Sequence, residues 1–280
     1  MFDCFMFHNE IDLLELRLNI LFPFIEKFVI VESTTTHSGK PKKLNFPNYV
    51  DRLTKFHSKI CYLIHKGIEG ENINSWANEN NQRNHILCGL IEHHPSDNMV
   101  FISDVDEIPK PEKLFEAKCI VCKTGSPVPF NMYNCMYFMN YVSNIQYRGA
   151  YLYNPNTVKA FEESFNWPKF MPTDERWHVC AEGRPNDFIR LDDAGWHFST
   201  MGTIEEIKYK IASFAHIEFN IDSLTSEENI RKCIAEGLPF YNSLGNPFEQ
   251  HSDRYFKRDI SFLPEYVQYN LDKYKKYIIE

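Results

Sequence analysis

Met99-Val100-Phe101-Ile102-Ser103-Asp104-Val105-Asp106-Glu107-Ile108-Pro109 begins as an unbroken apolar run and closes on acids and a proline. The run from Met99 to Ile102 reads as a strand buried on both faces. A helix is expected from Pro111, because proline is tolerated in a first helical turn. Asp104 and Asp106 leave the strand end together, and residues i and i+2 of an extended chain point to the same side. Two carboxylates so placed suit a hard divalent cation, Mg²⁺ or Mn²⁺, bound through oxygen with positions left for phosphate. The carboxyl ends of strands are also where open α/β sheets bind their ligands. A bare Asp-x-Asp occurs in solvated turns too; the buried strand before this one and the prolines after it favour a functional reading.

Upstream, apolar periodicity alternates between strand and helix. Asp3 to Phe7 reads as a strand, and Glu10 to Phe22 as a helix with Ile11, Leu14, Leu18 and Leu21 on one face. Lys27 to Val31 is a second strand ending in Glu32-Ser33, and Ile60 to Ile64 is a third. Thr34 to Pro47 is a loop too long for an idle connector. Ser75 to His93 reads as one helix. This β-α-β order predicts right-handed crossovers and a Rossmann-like, mostly parallel sheet flanked by helices, the α/β class. It also puts Glu32-Ser33 and the Asp104–Asp106 pair at one edge of that sheet. Neither a dinucleotide fingerprint nor a P-loop is present, so any nucleotide is held by other means.

Downstream, Pro127 to Tyr153 is aromatic and β-like, which suggests antiparallel additions to the sheet, and 166–187 reads as a loop. In Gly195-Trp196-His197-Phe198-Ser199, His197 faces away from both aromatics and toward a cleft if they pack into the core. Thr203-Ile204-Glu205-Glu206 is a capping box, and the helix it starts is expected to run to about Phe219. Glu206 and Lys210 are spaced for a surface ion pair. Glu205 has no capping duty; the helix dipole keeps it ionised, as a general base must be. Asp193 is the second candidate for that role. Leu238 to Glu280 carries little signal. No domain boundary is evident, so residues 1–280 read as one domain, divided into halves 1–110 and 111–237 and an extension 238–280.

A formal charge of −8 over 280 residues argues against a nucleic-acid surface. Eight irregularly spaced cysteines point to reduced thiols, and Cys119-Ile120-Val121-Cys122 lacks the second pair a zinc site needs. With no signal peptide and no membrane-spanning run in the sequence, a cytoplasmic location is expected.

Several blocks together resemble glycosyltransferase family 17. They are Asn9-Glu10-Ile11-Asp12-Leu13-Leu14 with Arg17, Val29 to Ser33, Thr36-His37-Ser38-Gly39-Lys40-Pro41, Trp76 with Glu79 and Arg83, Ser103 to Pro109, and Gly195 to Ser199 running on through Glu205, Lys210, Ser213 to His216 and Glu218. The resemblance implies a GT-A fold, a nucleotide-sugar donor, a glycan or glycoprotein acceptor, a divalent metal at the Asp-x-Asp, and inversion at the anomeric carbon. Glu32, Ser33, His37 and Gly39 leave the second strand on the same sheet edge as that metal, so they are expected to line the base and ribose pocket with Arg83 nearby, and Asp104, Trp196 and Lys210 to bind the donor. The metal falls to Asp104, Asp106 and His197, and the base to Glu205 or Asp193. The donor is expected to be UDP-N-acetylglucosamine, or a UDP-sugar such as UDP-xylose or UDP-glucose. In this reading 1–110 is the nucleotide-binding half and 111–237 the acceptor side, although Pro127 to Asp193 matches the family poorly. The chemistry agrees, since a metal neutralises a departing diphosphate and one carboxylate activates the acceptor hydroxyl. Two other readings are a haloacid-dehalogenase-like phosphatase and a non-catalytic nucleotide-sugar- or glycan-binding module. The first places its Asp-x-Asp near the chain start with Thr or Val two positions on, where this chain has Ile108. An intact Asp-x-Asp speaks against the second.

Overall fold

The computed structural model describes residues 1–71, 73–93, 98–154, 189–244 and 253–280. Strands β1 (Phe2–Phe7), β2 (Lys27–Ser33), β3 (Ile60–His65) and β4 (Val100–Asp104) form a parallel block in the order β3-β2-β1-β4. Helix α1 (Ile11–Leu21) links β1 to β2; α2 (Ser75–Asn84) and α3 (Ile86–His93) lie between β3 and β4; α4 (Pro111–Thr124) starts at Pro111 as expected. Beyond β4 the sheet continues antiparallel through β8 (Tyr147–Tyr153), β6 (Val128–Tyr137), β7 (Tyr141–Ser143) and β10 (Tyr255–Lys257). β5 (Glu107–Pro109) pairs antiparallel with β9 (Gly195–Met201), which runs parallel to β6. The parallel block with antiparallel additions is the architecture expected from the sequence.

Strand alternation explains why the block is apolar throughout. Phe5, Phe7, Phe28, Ile30 and Phe101 meet Leu14, Leu18 and Leu21 of α1 on one face. Phe2, Cys4, Val29, Val31 and Val100 meet Ile86, Leu87 and Leu90 of α3 on the other. Each large side chain so buried contributes about 1.5–3 kcal/mol. Gly89 lets α3 approach closely, because a Cβ there would lie 2.6 Å from a Val29 methyl.

Three expectations need correction. The helix expected over Ser75 to His93 breaks at His85, whose N–H turns back to the Asn81 and Gln82 carbonyls; α3 then restarts with its apolar face on the sheet. The capping-box helix, α5 (Ile204–Ser213), stops well before Phe219. The Ser213 and Ala212 carbonyls at its end accept from the His37 N–H and the Ser38 hydroxyl, and Phe214 turns extended. Asp104 and Asp106 are not i and i+2 of one strand, because β4 ends at Asp104 and the chain turns through Val105 and Asp106 into β5. The loop expected over 166–187 lies outside the described residues. The stretch 238–280, nearly silent in the sequence, supplies β10 and packs Leu263, Val267, Tyr274 and Tyr277 against Leu13, Leu16, Ile108 and Trp196. Among the described residues, no helix is long and apolar enough to cross a membrane.

His65, at the end of β3, gives the fold a pH dependence. Burial, reinforced by His85 and His37, pushes its imidazole from an ordinary 6.5 down to about 4. Its Nε2 has no hydrogen-bond partner, and its ring lies 5.3 Å from that of His85. The unfolded chain takes up a proton below pH 6.5 and the folded one only near pH 4, so stability is full above 6.5 and declines between these values. Because His65 is only partly buried, the loss is on the order of 1–2 kcal/mol. Urea midpoints at pH 7 and pH 5 measure it. His65→Phe should flatten the slope; an unchanged slope would assign it elsewhere.

Candidate active site

A cavity of about 480 Å³ opens at the carboxyl ends of β1 and β4, within the size range of small-molecule sites. Its floor is the β4–β5 turn, and what fixes that turn is buried beneath it. Arg17 of α1 is fully buried. Its Nη1 donates to the carbonyls of Asp104 and Glu107, both at 2.8 Å, and its Nη2 to the Ser103 hydroxyl at 2.6 Å. Asp3 of β1, also fully buried, holds the other side of the guanidinium at 2.5 and 2.8 Å. The Asp104 N–H donates to the buried carboxylate of Glu107 at 2.9 Å. Gly149 makes room for that carboxylate, since a Cβ there would stand 2.1 Å from it.

The two aspartates leave this turn toward different cations. Asp104 Oδ1 accepts from Arg83 Nη1 at 2.8 Å, and the same guanidinium donates to Glu79 at 2.9 Å. Asp106, 6% exposed, accepts from Lys210 Nζ at 2.7 Å, and Lys210 lies 3.7 Å from Glu10. Burial opposes the ammonium charge of Lys210, but Asp106 and Glu10 outweigh it and hold its pKa above the ordinary lysine range. For Glu10, burial is outweighed by Lys210, His8 and backbone N–H groups, and its pKa falls below the usual carboxylate value. His197 reaches the same point from β9, its Nε2 3.9 Å from Asp106 Oδ1 and its ring stacked on Tyr147 at 3.9 Å. β5 sets this placement, because Glu107 is paired with His197 in register.

Of the residues singled out in the sequence, Asp104, Asp106, His197, Lys210 and His37 line the cavity together. Arg83 stands behind them on Asp104. His37 lies 3.1 Å from Gln82 Oε1 and 3.8 Å from Glu79. The structure does not bring the others there. Glu32 is fully buried, and its carboxylate accepts from Lys42, the Asn45 and Phe46 N–H groups and the Tyr62 hydroxyl. Ser33 bonds to Thr35. Gly39, at φ +86°, closes a turn against Gly70 and Ile73. Trp196 is a core residue, its indole N–H donating to the Phe262 carbonyl. Glu205 is exposed on the first turn of α5, and Asp193 is exposed and accepts from Gln146; neither lines the cavity. The expected Glu206–Lys210 pair is replaced by Lys210 on Asp106, with Glu206 capping Thr203 and reaching Lys276. With Glu205 and Asp193 so exposed, Glu205→Gln and Asp193→Asn should each change kcat by only about twofold; a hundredfold loss in either would return that residue to the chemistry.

Several lining residues carry no site role in the sequence, although Glu10, Trp76 and His216 stand in the blocks that resemble the family. Glu10 follows β1 at the same sheet edge as Asp104, a position the topology rule could have flagged. Trp76, His216, Phe219 and Tyr241 form an aromatic wall, with Trp76 edge-on to His216 at 4.6 Å and Phe219 stacked on Tyr241 at 5.2 Å. Asp253 and Tyr241 come from the stretch with little sequence signal.

The carboxylates, lysine and imidazole of this cleft gather at the carboxyl ends of the strands, where open α/β sheets bind their ligands. The chain matches glycosyltransferase family 17 over residues 1–279 and belongs to that family. It is therefore a glycosyltransferase, a class that takes a sugar donor and a glycan acceptor. No curated protein matches it. Among solved structures it is similar to 4-diphosphocytidyl-2C-methyl-D-erythritol synthase from Anaerococcus prevotii DSM 20548, at 13% identity and TM-score 0.37, covering 69% of this chain and 86% of that one. It is also similar to a putative glucose-1-phosphate thymidylyltransferase from Bacillus anthracis, at 10% identity and TM-score 0.39, covering 68% and 84%.

Proposed function

We infer that the chain transfers a sugar from a UDP-sugar to a glycan acceptor with inversion, using a divalent cation, Mn²⁺ or Mg²⁺, at Asp104 and Asp106. The sugar is N-acetylglucosamine, or another such as xylose or glucose. The observation that carries this reading is the charge of the cavity. Among the described residues, Glu10, Glu79, Asp104, Asp106 and Asp253 line it with one ammonium, Lys210, while Arg83 pairs with Asp104 and Glu79. A dianionic diphosphate would be repelled there unless a cation came with it. Asp104, Asp106 and His197 would supply the carboxylate and imidazole donors for such an ion once it displaces Arg83 and Lys210 from the two aspartates. When bound, the ion would act as a Lewis acid on the departing diphosphate.

The chain's own residues do the rest. Arg17 holds the turn that presents both aspartates. Lys210 faces the phosphates as a second positive charge. His37 and Trp76, which follow β2 and β3 and line the cavity, would meet the base of a nucleotide lying along the strand termini. The general base is one of the lining carboxylates outside the Asp-x-Asp, namely Glu10, Glu79 or Asp253. Thermal unfolding with UDP-N-acetylglucosamine, UDP-xylose and UDP-glucose, each with and without Mn²⁺, tests the reading. A productive donor at a hundred times its Kd adds about 2.7 kcal/mol, a rise of roughly 5–10 °C in Tm, and should require Mn²⁺. Release of UDP on incubation should accompany it. If none of these donors shifts Tm or releases UDP, the donor class is wrong; full activity in excess EDTA would remove the metal.

A further inference from the structure

We propose that Lys210 is the resident counter-ion of the cation site, and that it makes the site accept its divalent ion together with the donor's diphosphate rather than before it. This rests on the metal-dependent reading above and concerns how that same site is filled. The Lys210 ammonium is 2.7 Å from Asp106 Oδ2 and 3.7 Å from Glu10, so it sits against two of the acids that line the cavity. Its backbone is fixed. The capping box of Thr203 and Glu206 anchors the start of α5, Ile207 and Ile211 bury its inner face, and the loop after β2 binds the carbonyls of its last turn. Only the four-carbon side chain is left to move.

Arg83 holds Asp104 in the same way, so each carboxylate of the pair faces its own cation. Among the described residues, the cluster whose ligating atoms all lie within 4.8 Å of one another is Cys61, Glu92 and His93, which are not among the residues lining the cavity. Asp104, Asp106 and His197 do not converge that tightly. A divalent ion arriving alone must therefore take Asp106 from an ammonium and then sit beside it, two positive centres on one carboxylate. A diphosphate changes that balance, because its oxygens give Lys210 a new anionic partner and free Asp106. An ammonium on a flexible stem can make this exchange, where a guanidinium locked in a bidentate pair could not. Metal and diphosphate then favour each other's binding by the same factor, as linkage requires.

The test is Mn²⁺ binding itself, followed by electron paramagnetic resonance or calorimetry on the full chain at constant ionic strength, with and without UDP. Lys210→Met is expected to bind Mn²⁺ without UDP about fivefold or more tighter than the wild type, and the further gain from UDP should shrink. Lys210→Arg, which keeps the charge, should bind nucleotide-free Mn²⁺ as weakly as the wild type. If Lys210→Met does not fold, Lys210→Gln carries the same expectation. Nucleotide-free binding in the neutral variant equal to or weaker than wild type overturns the proposal while the metal-dependent reading stands. No Mn²⁺ binding to wild type even with UDP overturns both.

Discussion

The Asp106→Asn variant is expected to fold like the wild type, to lose about 10³-fold or more in kcat, and to lose the Mn²⁺-dependent part of donor binding. Three observations set the size of this effect. Asp106 is 6% exposed, so its charge acts in a water-poor site where electrostatic terms are large. It lies between Lys210 at 2.7 Å and His197 at 3.9 Å, the two groups that would share a diphosphate and its cation. It also sits in a turn whose geometry is imposed from below by Arg17, so the amide occupies the carboxylate's place without moving the backbone. The amide oxygen still accepts from Lys210, and Glu10 remains 3.7 Å from that ammonium, so the fold survives. The measurements are kcat with saturating donor, and donor affinity with and without Mn²⁺. Activity within tenfold of wild type, with the metal requirement unchanged, would remove Asp106 from the site.

The fold was legible because long apolar runs alternate with helical periodicity, and the β-α-β rule turns that order into a parallel sheet. The carboxyl edge of the sheet was legible for the same reason, and with it Asp104, Asp106 and His37. His197 followed from strand alternation, since Trp196 and Phe198 do pack into the core. What the sequence could not show is which polar groups at that edge are already used. Glu32 stands at the end of β2 as Asp104 stands at the end of β4, yet its carboxylate is taken by donors that fold the following loop back onto the strand. Lys210 read as a surface partner of Glu206 because helical spacing is local information, whereas its contact with Asp106 spans 104 residues. Asp253 and Tyr241 lie in a stretch of sequence without apolar periodicity, so no pattern could place them in the cavity wall.

Arg17 supplies the prediction that separates holding the fold from holding the site. Arg17→Met strands Asp3, which is fully buried. Burial already raises the Asp3 pKa and Arg17 is what opposes it, so the variant should lose about 3–5 kcal/mol. The carbonyls of Asp104 and Glu107 lose their donor as well, a further cost of about 1–3 kcal/mol if water does not replace it. In the double variant Asp3→Leu/Arg17→Met the stranded carboxylate is gone, and buried ion pairs replaced by apolar groups of similar volume are often neutral or better. Urea unfolding should therefore show the double variant more stable than Arg17→Met alone. Activity should not follow, because neither variant can hold the Ser103 hydroxyl and the two carbonyls that set the β4–β5 turn. Both should stay about 10²-fold or more below wild type in kcat/KM, with a raised Mn²⁺ requirement that Arg17→Lys, which keeps one charged donor, partly restores. If activity returned in the double variant along with stability, Arg17 would be a partner for Asp3 and nothing more, and the shape of the Asp-x-Asp turn would have to come from β5 and Glu107.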